Sequence, residues 1–171
     1  ARKVQRELTK TTPSLSGFVI LLAVRGRTPG LQHHNVWFPA EYDDEFDSIF
    51  GSQPRPVPDP AIYVCSPDDP LMRPGDDFES WFILVNAPRH DPGSGVDWDT
   101  AGLADSYADH VLGRLAERGM DVRDRIMWRE TRPPADLERG TRAPGGSIYG
   151  TSSNGARAAF QRPANQSPIQ G

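Results

Sequence analysis

Apolar positions fall in short blocks that predict strands over the first half of the chain. Residues 18–26 are almost wholly apolar and rich in β-forming types, which predicts a strand covered on both faces. Thr28-Pro29-Gly30 predicts a turn, so residues 34–38 are interpreted as the return strand of a hairpin. Residues 61–65 and 79–87 predict a third and a fourth strand.

Helical periodicity is clearest in the second half. Large apolar residues recur every four positions, which predicts an amphipathic helix over residues 103–118. Residues 134–142 predict another helix, since proline suits a first helical turn, and residues 125–130 between them predict a fifth strand. A shorter helix is predicted at Asp43–Phe50, with Phe46 and Phe50 on its apolar face.

The order of these elements predicts an α+β fold. Hairpins mixed with helices favour a mixed, mainly antiparallel five-stranded sheet with helices on one face. We expect residues 1–13 to be a linker, residues 14–142 to form the α+β domain, and residues 143–171 to form a glycine-rich segment.

Composition limits the function classes. The net charge of −4 gives no basic footprint for a nucleic-acid partner. Cys65 is the single cysteine; it lies in an apolar run and is interpreted as a buried, inert thiol. The longest apolar run is far too short to span a bilayer, so we expect a cytoplasmic protein.

The sequence shows no pattern of residues that is typical of a catalytic or metal-binding site. His33 and His34 are adjacent and would point to opposite sides of a strand, so we predict no metal site. His90 and His110 lack ligand spacing, and no G-x-S-x-G motif of a hydrolase occurs in the sequence. The residues therefore identify no catalytic group.

Seven weak motifs follow one another along the chain. They are SLSGF at 14–18, LQHHNVWF at 31–38, DDPLMRPG at 68–75, VNAP at 85–88, VDW at 96–98, RPAN at 162–165 and SP at 167–168. In this order and spacing the sequence resembles the bacterial phytoene-desaturase-like carotenoid desaturases. The resemblance covers residues 14–171, although no single motif is specific.

The resemblance implies an FAD-dependent oxidoreductase that desaturates a carotenoid polyene such as phytoene in a dry apolar channel. It implies that Gly145, Gly146, Tyr149 and Gly150 lie beside the flavin. The aromatic residues Trp37, Phe38 and Trp81 are candidates to line the channel, with packing in the protein core as the alternative for each.

Both glycine motifs that bind flavin in this family are missing from the sequence. We therefore expect the chain to be the substrate-side portion of a parent enzyme, and expect the portion alone to be inactive. An amine-oxidase-like or retinoid-saturase-like flavoenzyme stays open, as does a non-catalytic module that binds an apolar ligand or partner. The substrate implies peripheral membrane contact, while the oligomeric state is not indicated.

Overall fold

The computed structural model describes residues 13–69, 71–72 and 75–150. The strands are β1 (Ser16–Arg25), β2 (His34–Trp37), β3 (Ile62–Cys65), β4 (Phe78–Ala87) and β5 (Ile126–Arg132). The α-helices are α1 (Asp43–Phe50), α2 (Leu103–Glu117) and α3 (Pro134–Thr141), and short 3-10 turns span Arg123–Arg125 and Pro144–Gly146. The predicted α+β fold is confirmed, and the motifs at 162–168 and the linker at 1–12 lie outside the described residues.

The five strands form one sheet in the order β2-β3-β4-β1-β5, and each neighbouring pair is antiparallel. The predicted β1–β2 hairpin is wrong, because β2 lies at the sheet edge and pairs with β3. Strand length explains the difference. The ten residues of β1 are matched in full by the ten of β4, whereas β2 and β3 have four residues each.

The core lies on one face of the sheet, beneath α2. Phe18 is fully buried, and its ring packs against Trp98 and Tyr107 at centroid distances of 5.4 and 4.9 Å. From α2, Val111 and Leu115 are also fully buried, as the four-residue period predicted. Each such side chain contributes roughly 1.5–3 kcal/mol of burial free energy. Helix α3 adds Ala135 to the same core, so both helices lie on this face.

The short helix α1 has the predicted bounds but buries a different face. It buries Glu45, Ser48 and Ile49, whereas Phe50 is exposed and Phe46 is half-buried. Phe46 and Phe50, which the spacing places on one face of this helix, are therefore not among its buried residues. Within the described residues no helix is long and apolar enough to cross a bilayer.

Candidate functional site

The sheet face opposite α2 is apolar and largely uncovered among the described residues. We call it the open face. Its apolar members are Val19, Leu21, Ala23, Val36, Tyr63, Phe78, Phe82, Leu84 and Trp128, and Cys65, Ser80 and Glu130 lie among them on the same face. Phe82 is 38% exposed and Trp128 is 49% exposed, although both lie on sheet strands. The expectation that β1 is covered on both faces is met only in part by the described residues, since Val19 on the open face is buried whereas Leu21 and Ala23 are half-buried.

The strand register fixes the layout of the open face. Cys65, Phe82, Leu21 and Glu130 lie side by side in one row across four strands. At the β5 edge Glu130 pairs with Arg132 at 2.7 Å, so the apolar surface has a charged rim on that side. In the middle of this row Phe82 and Leu21 are apolar, and alternation along each strand places them on the same face.

The described part of the glycine-rich segment, residues 143–150, lies against the start of β1. The Ser16 hydroxyl donates to the Gly146 carbonyl at 2.6 Å, and the Tyr149 amide donates to the Ser14 hydroxyl at 2.9 Å. The Ser14 amide in turn donates to the Gly150 carbonyl at 2.9 Å. These bonds join residues 130 or more positions apart in sequence and hold residues 146–150 at one end of the sheet.

The same segment reaches the edge of the open face. A Cβ atom built on Gly17 would lie 3.8 Å from the Ile148 side chain and 2.8 Å from the Leu84 side chain. Ile148 and Leu84 therefore meet over Gly17, a position with no side chain of its own. The open face and the glycine-rich segment thus form one continuous surface.

The predicted flavin-side glycines have different physical reasons to be glycine. Gly145 and Gly146 have φ of +63° and +72°, and a Cβ on Gly146 would lie 2.3 Å from the Pro134 carbonyl oxygen. Packing within the chain therefore explains both, and their contact with flavin stays a prediction. Gly150 has φ +74°, and none of the described residues has an atom within 4 Å of its Cβ position; Tyr149 is 62% exposed. The described residues fit an FAD contact at Tyr149 and Gly150 better than one at Gly145 and Gly146.

The three predicted channel aromatics are not brought together. Trp81 is 2% exposed on the helix-covered face, where its Nε1–H donates to Glu79 at 3.0 Å. Trp37 packs against the main core, and Phe38 is 66% exposed with its ring 5.9 Å from that of Tyr42. Core packing accounts for Trp81 and Trp37, and ligand contact by any of the three stays a prediction.

Sequence reasoning missed two features of this region. Phe82 and Leu84 of the open face lie in the predicted fourth strand, and alternation along that strand separates them from the buried positions Trp81 and Ile83. That alternation could have shown that Phe82 and Leu84 share a face opposite to Trp81, but not which of the two faces is exposed. The second feature is the buried carboxylate of Glu45. Nothing in the sequence predicts its burial, since acidic residues in a first helical turn are ordinarily solvated.

The geometric argument against chelation by His33 and His34 is wrong. His33 precedes β2, so strand alternation does not apply to the pair, and the two rings lie 4.4 Å apart. Tyr63 lies beside them, with its hydroxyl 2.8 Å from His34 Nδ1. Burial and then the neighbouring Cys65 thiol raise the pKa of Tyr63, so its phenol is neutral at ordinary pH.

No family model matches the sequence. The chain is 31% identical over 155 residues to the carotenoid 3,4-desaturase of Haloarcula japonica, covering 89% of the chain and 30% of the relative. It is 32% identical over 156 residues to the zeta-carotene-forming phytoene desaturase of Myxococcus xanthus, covering 88% and 29%. A 4,4'-diapolycopene oxygenase of a Methylomonas species is 32% identical over 151 residues, covering 85% and 29%. The chain thus spans less than a third of the length of these curated relatives.

Proposed function

The chain belongs to the carotenoid desaturase family and corresponds to less than a third of the length of its relatives. From this premise we propose that it supplies one wall of a polyene-binding site. The whole enzyme would be an FAD-dependent oxidoreductase that dehydrogenates a carotenoid precursor such as phytoene. The names of the relatives support this proposal, since they are desaturases and oxygenases of carotenoids. In this proposal residues 14–142 form the substrate-binding domain.

The open face is the observation that carries the proposal. Strand β1 is apolar on both sides; the core covers one side fully, whereas on the other side Val19 is buried but Leu21 and Ala23 are only half-buried by the described residues. A conjugated or partly saturated polyene is flat, long and apolar, and it matches such a surface in shape and in polarity. Three strands spaced about 4.8 Å apart and contacted over about 10 Å present roughly 150 Å². Burying that area contributes about 4 kcal/mol before the entropy of binding is subtracted.

The chain's own residues would bind and orient the substrate and exclude water. FAD, when bound, would supply the two-electron oxidation: one of two adjacent saturated carbons would lose a hydride to the flavin and the other would lose a proton to a base or to solvent, which leaves a double bond between them. Side chains such as Leu21, Phe82 and Leu84 would hold the polyene flat, so that successive bonds are presented in a fixed plane. The continuity of the open face with Tyr149 and Gly150 supports placing the flavin at that end. Contacts from Gly145 and Gly146 belong to the same proposal.

Kinetics of the full-length protein test the proposal. Phe82→Ser removes an aromatic ring from the open face, and Phe50→Ser is the matched control, since each ring is 38% exposed. Losing about 1.4 kcal/mol of apolar contact raises KM for the carotenoid about tenfold in Phe82→Ser. FAD content stays normal in both variants. Equal KM values for the two variants would count against the open face as a substrate wall.

We also propose peripheral membrane contact through an exposed aromatic group beside α1. The rings of Phe38, Tyr42 and Phe46 lie in sequence at centroid distances of 5.9 and 5.4 Å. Asp43 and Asp44 flank these rings and would be repelled by anionic lipid. We therefore propose that the membrane surface they contact is an uncharged one. Co-sedimentation with phosphatidylcholine vesicles tests this. Phe38→Ser should lose binding and Leu71→Ser, an exposed apolar control, should retain it; no binding by the unaltered chain would refute the proposal.

A further inference from the structure

Three strong metal donors meet where β2 and β3 pair at the edge of the sheet. We propose that His33, His34 and Cys65 bind a divalent ion of the zinc class. His34 lies directly opposite Cys65 in the β2–β3 register, and the Ser66 amide donates to the His33 carbonyl at 2.9 Å. The backbone thus fixes all three donor residues independently of any ligand.

The spacing of the donors suits one ion. One ligand atom from each of the three residues lies within 4.8 Å of the other two. A zinc ion takes imidazole nitrogen at about 2.0–2.1 Å and thiolate sulfur at about 2.3 Å, which sets donors roughly 3.5 Å apart in a tetrahedron. The donor atoms would have to approach one another by at most about 1.3 Å to reach that spacing.

The hydrogen-bond partners of both histidines also support a metal site. His33 Nδ1 lies 3.3 Å from a carboxylate oxygen of Asp68, and His34 Nδ1 lies 2.8 Å from the Tyr63 hydroxyl. Histidines that bind metal through one ring nitrogen characteristically donate the other N–H to an oxygen acceptor. Asp68 and Tyr63 can accept those protons, which leaves Nε2 of each ring for the ion.

The proposed site has three protein donors and one open position. His34 is exposed, and His33 and Cys65 are half-buried, so water or another ligand can complete the coordination. Binding transfers the Cys65 thiol proton to solvent and leaves a thiolate–metal bond. The proposal stands apart from the polyene proposal, although Cys65 shares a row of the open face with Phe82.

The second cluster of this kind is a weaker candidate. His90, Asp97 and Asp99 also place ligand atoms within 4.8 Å of one another. There His90 Nδ1 already accepts the Trp98 amide N–H at 3.2 Å, and both acids are exposed. That cluster has no thiol, and its one imidazole serves a loop contact.

Cobalt titration of the 171-residue chain tests the zinc-class site. Co²⁺ bound through Cys65 gives a thiolate-to-cobalt charge-transfer band in the near ultraviolet, and added Zn²⁺ abolishes that band at micromolar concentration. Cys65→Ser should lose the band and weaken Zn²⁺ binding more than about 100-fold, while Asp68→Asn should weaken it about tenfold. His110→Gln, an exposed histidine on α2, is the matched control and should bind as the unaltered chain does.

Several outcomes would overturn the proposal. They are an unaltered chain without a thiolate band, Zn²⁺ binding only at millimolar concentration, and a Cys65→Ser variant that binds as tightly as the original. Circular dichroism of each variant shows whether it folds. If Cys65→Ser fails to fold, the Asp68→Asn variant tests the proposal instead. The Asp68 side chain is exposed, so its replacement should not unfold the protein and a loss of Zn²⁺ affinity would reflect the metal site.

Discussion

Removing the carboxylate of Glu45 should destabilise the protein far more than its place on a short, acidic helix implies. Glu45 is fully buried. One of its oxygens accepts the Ala61 amide N–H at 2.6 Å, and the other accepts the Asn86 side-chain N–H at 2.7 Å. The carboxylate therefore ties α1 to the start of β3 and to the end of β4.

The expected magnitude follows from the two donors that would be orphaned. A buried donor left without an acceptor costs about 1–3 kcal/mol. Glu45→Ala leaves two such donors, both part-buried, so the free energy of unfolding should fall by about 2–6 kcal/mol. Glu45→Gln retains one acceptor oxygen and should lose roughly half of that amount. For a chain of this length a loss of 3 kcal/mol lowers Tm by about 6–12 °C.

Urea denaturation followed by circular dichroism measures these differences. Asp44→Ala is the matched control, because it removes an exposed acid from the same helix and should change stability by less than about 0.5 kcal/mol. The Asn86→Ala double-mutant cycle should then show a coupling of about 1 kcal/mol with Glu45. If Glu45→Ala unfolds at the same urea concentration as Asp44→Ala, the carboxylate has no structural role and the reasoning fails.

Three further changes test the packing and the charges. Gly146→Ala should cost about 2 kcal/mol more than Gly30→Ala in thermal melts, since both have positive φ but only Gly146 would clash with backbone. Gly113→Ala, inside α2 with open space around it, should stabilise by about 0.5–1 kcal/mol. Although burial opposes it, hydrogen bonding from Arg114 and the nearby Arg118 charge lower the pKa of Asp59. Stability from that group is present above about pH 4 and is lost as pH falls further, so Asp59→Asn should be destabilised at neutral pH and the Tm gap should close in acid; a pH-independent gap would contradict this.

The spacing of apolar residues was enough to predict much of the fold. The four-residue spacing that runs through Tyr107, Val111 and Leu115 predicted both the existence of α2 and its buried side. Strand positions were also predictable, because apolar runs were bounded by proline and glycine. Strand partners were not, since alternation shows which side chains share a face and carries no information on which strand lies next. The β1–β2 hairpin was predicted wrongly because the sequence pattern does not specify strand partners.

The site was predicted less completely, for physical reasons that differ by residue. Gly146 was interpreted as a close approach to a ligand, but a nearby carbonyl of the chain itself demands a glycine there. Trp81 lies one residue from Phe82, and only the sheet as a whole determines which of them is covered. His33 falls just outside its strand, so a rule that holds inside strands misplaced its side chain.

Site-specific labelling of the full-length protein tests the polyene wall most directly. Ser80→Cys places a thiol on the open face beside Ala23, and Ser106→Cys places the same thiol on the outer side of α2. Both positions are exposed and both changes are nearly isosteric, so neither should disturb binding. The account predicts that the carotenoid substrate slows maleimide labelling at position 80 several-fold and leaves position 106 unchanged. Equal labelling rates at position 80 with and without substrate would contradict it.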